Sequence, residues 1–514
     1  MLKIVIAILL TGMAIRTLAN TVDSTEILFD EEQVFNYEIQ FYTPDWSDSM
    51  DYYMEIMGGE YMPARFISRF DDGDSIVLEN VGVRYKGNSS YTFSRHSVKR
   101  PLKVKFDKFV DHQYYFGLKR LSFHNGVLDP SFMREKISYD IARAYMPSPR
   151  VSYANISIEG ELIGFYIQVE QVDDQLITRY YEDDTGRLFK AGNDGAFMTF
   201  SVDAFSNFDR KEGSNDWSNF IDMMDKLNNT SDEEFVEVIS EVLDLKSCIT
   251  HLAYTMVLSH FDSYTGSGRN FYLYENPKSG RFEILPWDLD QSFGVYTNNW
   301  DVINADIVDI SNLDQRPLNR RIIENDSLRN VYFDFLERML NEAANPEQIA
   351  AEADRIKERI KEHVKNDPNK FYTYEDFLTN IEEDLVVQSG PRRRVFPGIK
   401  SLSAQRAESI LSQIEHYRAT SVVKNKKPDN LHQMAIRAAG NKLLLSYSVK
   451  TDAKPVTLNV YNARGSLIDS RYLGLRNRGQ HTTSISLEQK AAGFYVVQLN
   501  FGDKTQSRSF IMRR

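Results

Sequence analysis

One cysteine, Cys248, is all that the 514-residue chain holds. No intrachain disulfide can brace it, a pattern commoner in exported bacterial proteins than in animal secreted domains. The lone thiol reads as a small buried apolar side chain. Basic residues are outnumbered, 61 Lys and Arg against 73 Asp and Glu, for a net charge of −12. That balance argues against general nucleic-acid binding, which needs a basic face. Beyond the N-terminal segment no run of about 20 apolar residues exists, so no membrane anchor is expected. Internal repeats are missing too. The composition is nonetheless that of a folded chain, 42% hydrophobic and 12% aromatic, and the length predicts two or three domains.

The N-terminus has a signal-peptide layout over residues 1–19: Lys3, an apolar run from Ile4 to Ile15, and small residues near Thr17 to Ala19. Residues 27–420 mix strand and helix patterns. Alternation in "SIVLENVGVRYKGNSS" and "RPLKVKFDKF" predicts strands; "PSFMREKISYDIARAYM" has helical periodicity. "VSYANISIEG" and "ELIGFYIQVEQV" predict a hairpin turning at Glu159-Gly160, and "RNFYLYENPKSGRFEILPWD" a second one. Residues 215–260 and 325–420 read as helical. A polar, basic linker is expected at 421–430, and 431–514 reads as a small all-β sandwich of short alternating strands. The fold class expected is therefore α+β with a sandwich after it.

Four segments carry chemistry. In "VGVRYKGNSSYTF" a strand meets Gly87, Asn88, Ser89 and Ser90, small residues whose backbone amides can approach an anion. In "KRPLKVKF", Leu102, Val104 and Phe106 share one face and leave Lys103 and Lys105 on the other. A helix carrying Glu135 follows, and a strand lysine paired with a helix glutamate can aim its ammonium at phosphates. Asp262 lies in the loop after a helix, Asn270 opens a strand, and that strand's partner ends at Asp288, with Asp290 beyond. Carboxylates with an amide oxygen suit Mg²⁺. Zinc is not expected, since no histidine or cysteine set converges there. The order of parts is that of protein kinases, although G-x-G-x-x-G, H-R-D and D-F-G are absent.

The run "GVRYKGNSS … KRPLKVKF … DPSFMREKISYDIA … GFYIQVEQVD … PWDLDQSFG" resembles the CotH family, atypical secreted kinases of the spore-coat-protein-H type. The resemblance implies a kinase-like two-lobed domain that uses ATP and Mg²⁺. It further implies Asp262 as the catalytic aspartate, and Asp288, Asn270 and Asp290 as metal ligands. Lys103 or Lys105 would contact phosphates, together with Gly87, Asn88 and Ser89. Trp287 would stack on adenine, and the segment of Glu170, Gln171 and Val172 would read the base edge.

The tail, "LNVYNARGSLIDS" followed by "AAGFYVVQLNFGDKTQSRSFIMRR", is similar to the type A C-terminal sorting domain of the type IX secretion system. Tyr461, Gly465, Gly493, Tyr495 and Arg513-Arg514 carry that likeness. It implies export through the periplasm to the surface or medium, with the secretion machinery as a partner. Two functions compete: phosphoryl transfer from Mg-ATP to Ser or Thr of an exported protein, and a non-catalytic surface-assembly role. Transfer to a glycan is a third reading.

Overall fold

The computed structural model describes residues 24–200, 204–389, 392–424, 434–439, 442–449, 454–462, 467–486, 493–501 and 504–512. The expected signal segment 1–19, Gly465 and Arg513-Arg514 lie outside these. The chain divides into two units, 1–414 and 415–514, and its fold is α+β.

In the first unit, seven strands close a barrel in the order β1-β2-β3-β4-β5-β7-β6. They are β1 (Val34–Phe41), β2 (Met62–Arg69), β3 (Ser75–Tyr85), β4 (Leu102–Lys105), β5 (Arg120–His124), β6 (Val151–Ile158) and β7 (Glu161–Val169). A parallel β1–β6 pairing completes the ring. Alternation supplies the filling, because inward residues on every strand are apolar. Tyr37, Phe66, Phe106, Tyr115 and Phe123 meet inside, with Phe66 and Phe106 5.2 Å apart edge to face. The β6–β7 turn is where the sequence places it: Glu159 and Gly160 both take positive φ, 51° and 82°, as a two-residue hairpin of matching twist demands. Two short helices, α1 (Trp46–Glu55) and α2 (Ser89–Ser94), interrupt the stretch that reads as strands.

Helix α3 (Arg134–Arg143) is buried along most of its length. Its first residue is pinned: the Arg134 guanidinium donates to Asp129 at 2.6 Å, to Asn380 at 2.9 Å and to the Pro397 carbonyl at 2.5 Å. After α4 (Asp174–Tyr181), β8 (Arg187–Ala191) and β9 (Phe208–Glu212) join β10 (Phe271–Asn276) and β11 (Arg281–Pro286) in a sheet ordered β11-β10-β8-β9. Helices α5 (Ser218–Asn229), α6 (Phe235–Ile239) and α7 (Leu245–Val257) lie between them in sequence. Asp244 caps α7 by accepting from the Ser247 amide at 2.7 Å.

The charged C-terminal part of this unit forms α8 (Pro317–Glu324), α9 (Asp326–Asn341), α10 (Pro346–Asn366), α11 (Tyr374–Glu382) and α12 (Ile399–Lys424). It is not all helix. Between α11 and α12, β12 (Leu385–Ser389) and β13 (Arg392–Phe396) pair as a hairpin, because "LVVQS" and "RRRVF" bracket a Gly-Pro turn signal. A fully buried ion pair, Lys99 to Asp367 at 2.5 Å, ties the barrel to the end of α10. The expected linker begins inside α12, and its remainder is outside the described residues.

The second unit has a sheet ordered β14-β15-β18 (Met434–Ala439, Lys442–Val449, Gly479–Ser486) and one ordered β17-β16-β19-β20 (Leu467–Arg476, Lys454–Asn462, Gly493–Phe501, Lys504–Met512). Leu443, Leu445, Tyr447 and Ile485 from one sheet and Val456, Leu458, Val497 and Leu499 from the other share one apolar core. Among the described residues no helix is long and apolar enough to cross a membrane.

Candidate functional site

Strand alternation assembles the upper wall of a cleft of about 510 Å³. On β3, Val83 and Tyr85 point into the barrel, so Arg84 and then Lys86 point out; on β4, Leu102 and Val104 point in and Lys103 out; on β5, Leu121 and Phe123 point in and Arg120 and His124 out. The register sets Arg84 beside Lys103, and Lys103 beside Ser122. Gly87, Asn88 and Ser89 also line the cleft. Gly87 has φ 80°, and a Cβ there would lie 2.4 Å from the Ser90 hydroxyl, so no other residue fits this turn unstrained.

The lower wall comes from the loop after α7 and the end of β11. Hydrogen bonds from Ser267 to the Phe261 carbonyl (3.0 Å) and from Gly268 to the Ser263 carbonyl (2.8 Å) wind the loop tightly. A Cβ at Gly266 would sit 1.9 Å from the Phe261 carbonyl oxygen. This winding places Asp262 against Asn270, whose amide donates to the Asp262 carboxylate and to its backbone carbonyl, both at 2.9 Å. Gln291 donates to the same carboxylate oxygen at 3.1 Å, and the other oxygen is buried with no hydrogen-bond partner. Burial pushes the Asp262 carboxyl above its usual range, and the Asp288 charge adds to this. Asn270 and Asp288 both have left-handed backbones, φ 57° and 56°, conformations that gather at functional sites. The Asp288 amide donates to the Tyr139 hydroxyl at 3.0 Å, so α3 fixes the turn.

Beneath the glycine turn lies a buried charged cluster. Lys86 contacts the His124 ring, and the other His124 nitrogen meets Glu135 at 2.5 Å. His124, Glu135 and Asp288 each offer a ligand atom, all within 4.8 Å of one another. One histidine, His124, therefore stands beside the acids, a neighbour that spacing did not show. Burial drives the Lys86 ammonium down, against the attraction of Asp288, Glu135 and Asp290. Burial raises both Glu135 and Asp290, and holds His124 neutral with its pKa lowered to about 3. The ammonium of Lys86 is thus the local counterion to three carboxyl groups. The lysine that engages Glu135 is Lys86, through His124, and not a lysine of β4.

Lys103 and Lys105 separate clearly. Lys105 lies 3.7 Å from Asp107 and outside the cleft lining. Lys103 lines the cleft and makes no ion pair among the described residues. Burial lowers its pKa well below the ordinary value, and Lys86, Arg84, Arg120 and Lys190 lower it further.

Of the residues expected at adenine, Gln171, Val172 and Trp287 line the cleft and Glu170 does not. Glu170 is bound to Arg150 and Arg179, at 2.8 and 2.6 Å, and its side chain is not part of the cleft wall; of its segment, Gln171 and Val172 line the cleft. Trp287 does line it, but the side chain is only 4% exposed, with Tyr272 edge-on at 5.9 Å and the ammonium groups of Lys86 and Lys190 each 5.8 Å from its ring centroid. Lys86, His124, Lys190 and Arg120 are site residues that the motif reading passed over. The alternation in "VGVRYKG" and "RLSFH" carries the signal for Lys86 and His124.

The donor set fits a hard divalent cation. Asp288, Asp290 and Asn270 supply oxygens, and Asp262 and Glu135 each keep a buried carboxylate oxygen without a hydrogen-bond partner.

These features, a barrel wall of cations facing acids on a strand end, define a class that comparison with known proteins identifies. Residues 83–407 match the CotH kinase protein model and residues 439–513 the secretion system C-terminal sorting domain. The chain belongs to the CotH family and carries a type IX sorting tail, which implies secretion. It is 24% identical over 319 residues to "Inner spore coat protein H" of Bacillus subtilis (strain 168), covering 60% of this chain and 84% of that protein.

Proposed function

We propose that the chain is a secreted atypical protein kinase that transfers the γ-phosphoryl group of Mg-ATP to a Ser or Thr hydroxyl of a surface or secreted protein. The barrel and the sheet-and-helix body that follows it would be its two lobes. The observation that carries this reading is one cleft lined both by Lys103, a half-buried lysine with no ion pair among the described residues, and by the acid-amide group of Asp262, Asn270, Asp288 and Asp290.

Lys103 and the amides of the Gly87 turn bind and orient the phosphates. Asp288, Asn270 and Asp290 would hold Mg²⁺, which when bound neutralises phosphate charge. Asp262, held by Asn270 and Gln291, orients the acceptor hydroxyl and takes its proton. The acceptor oxygen bonds to the γ-phosphorus as the bond to the β–γ bridging oxygen breaks, and the electron pair leaves with ADP. Lys86, His124 and Glu135 form the buried base on which Asp288 rests.

A surface-assembly role is the second reading, favoured by the coat-protein description of the Bacillus relative. The test is incorporation of labelled γ-phosphate into exported proteins by the purified full chain with Mg²⁺. Nucleotide binding without any transfer would move the weight to assembly.

A further inference from the structure

The acid proposed to face the acceptor and the acids proposed to hold Mg²⁺ belong to one closed ring of bonds. The Asn270 side-chain amide donates to the Asp262 carboxylate at 2.9 Å. The backbone carbonyl of Asn270 accepts from the Trp287 amide at 3.0 Å. Trp287 leads through Asp288 and Asp290 to Gln291, and the Gln291 side-chain amide donates to Asp262 at 3.1 Å. Both side-chain amides meet the same carboxylate oxygen, Oδ2. Asn270 comes to it from the loop before β10 and Gln291 from the turn after β11.

The backbone that carries Gln291 does not depend on that side chain. The Ser292 amide donates to the Leu289 carbonyl at 3.1 Å, Phe293 to Leu258 at 2.8 Å and Gly294 to Ser259 at 3.2 Å, which fastens the turn to the end of α7. The Ser292 and Ser138 hydroxyls share a hydrogen bond of 2.7 Å, which fastens it to α3. The Tyr139 hydroxyl holds the Asp288 amide. Gln291 itself is half-buried and lines the cleft with Asp262. Its side-chain amide is therefore not what shapes the turn; what it fixes is the carboxylate. A carboxylate turns about its Cβ–Cγ bond, and two donors from different elements lock that rotation where one leaves it looser.

Resting on the kinase reading above, we infer that Gln291 is a positioning residue for transfer: it ties the orientation of Asp262 to the turn that carries Asp288 and Asp290, so that the proton acceptor and the cation ligands are aligned as one unit. Gln291 does this without holding the cation or the nucleotide. A misplacement of about 1 Å at a reacting group costs on the order of a hundredfold in rate.

The experiment measures transfer of labelled γ-phosphate from saturating Mg-ATP to a fraction of exported proteins, and Mg-ATP affinity by calorimetry. It compares the full chain with Gln291→Met, whose side chain has similar length and no donor. Transfer should fall by about ten- to a hundredfold, with affinity within about twofold of the parent chain. Gln291→Leu, a second side chain without a donor, should repeat the result. An Asp262→Asn chain has no carboxylate left to aim, so adding Gln291→Met to it should change transfer by less than about twofold. Transfer by Gln291→Met within about twofold of the parent would overturn the inference. So would a loss of Mg-ATP affinity as large as the loss of transfer, or losses that multiply in full in the double variant. In each of these the parent chain still transfers and the kinase reading stands. Absence of transfer by the parent chain would overturn that reading and this inference together.

Discussion

The side-chain amide of Asn270 donates twice to Asp262, once to its carboxylate and once to its backbone carbonyl, at 2.9 Å each. One residue therefore holds both the position and the orientation of the acid proposed to face the acceptor, and its remaining carbonyl oxygen is left for a cation. The amide also sits on a left-handed backbone, φ 57°. Asn270→Ala and Asn270→Gly both remove the two hydrogen bonds, but only alanine pays the steric penalty of that φ. Asn270→Ala should be less stable than Asn270→Gly by roughly 1–2 kcal/mol, measured by denaturant unfolding. Both variants should lose transfer activity to a similar extent. A glycine variant no more stable than alanine would show that the backbone relaxes.

Two lysines of the cleft have opposite worth to the fold. Lys86 is attracted by Asp288, Glu135 and Asp290, so Lys86→Met removes a cation from beside three carboxyl groups and should cost about 3–5 kcal/mol. Lys103 makes no ion pair among the described residues and is repelled by Lys86, Arg84, Arg120 and Lys190, so Lys103→Gln should be neutral or stabilising, shifting stability by under about 1 kcal/mol unfavourably at most. Thermal melts of the two variants without nucleotide check this. Destabilisation by Lys103→Gln comparable to that of Lys86→Met would mean that Lys103 has a structural partner.

Acid should unfold the first unit through buried histidines. His251 and His260 are buried with ring nitrogens that have no hydrogen-bond partner, and burial lowers each to about 3 from an ordinary 6.5. The unfolded chain binds these protons below pH 6.5 and the folded chain does not, so stability is intact above 6.5 and falls as pH drops toward 3. Each group contributes a slope of about 1.4 kcal/mol per pH unit within that window. His251→Leu should flatten the unfolding free energy between pH 6.5 and 4.5 relative to the parent chain. An unchanged slope would show that His251 gains its proton in the native state.

Export should depend on the second unit. Deleting residues 431–514 removes the sandwich that matches a sorting domain and should leave the first unit folded and retained in the periplasm. Normal release of the truncated chain, followed by cell fractionation, would contradict the sorting role.

Much of this was legible in sequence wherever one local rule governs. The Glu159-Gly160 turn, the lysine-out alternation of β4 and the hairpin whose second strand ends at Pro286, two residues before Asp288, follow from period and turn chemistry. What was not legible depends on three-dimensional convergence. His124 lies 11 residues before Glu135 on a different element, and nothing in spacing says that its ring will stand between Glu135 and Lys86. Trp287 stands beside Asp288 in sequence, but only packing reveals the two lysines 5.8 Å from its ring centroid. Spacing also does not show that Arg150 and Arg179 take the Glu170 carboxylate while Gln171 and Val172 of the same segment line the cleft. The β12–β13 hairpin was hidden because its strands are five residues each inside a long charged helical region.

The central claim is that Asp288 and Asp262 divide the labour, one at the phosphates and one at the acceptor. The direct measurement pairs nucleotide affinity by calorimetry, with Mg²⁺, with incorporation of labelled γ-phosphate, for Asp288→Ala and Asp262→Asn. The account predicts that Asp288→Ala loses Mg-dependent affinity and transfer together. It predicts that Asp262→Asn keeps its affinity while transfer falls by about two to four orders of magnitude, the worth of a general base. Undiminished transfer in Asp288→Ala would contradict it.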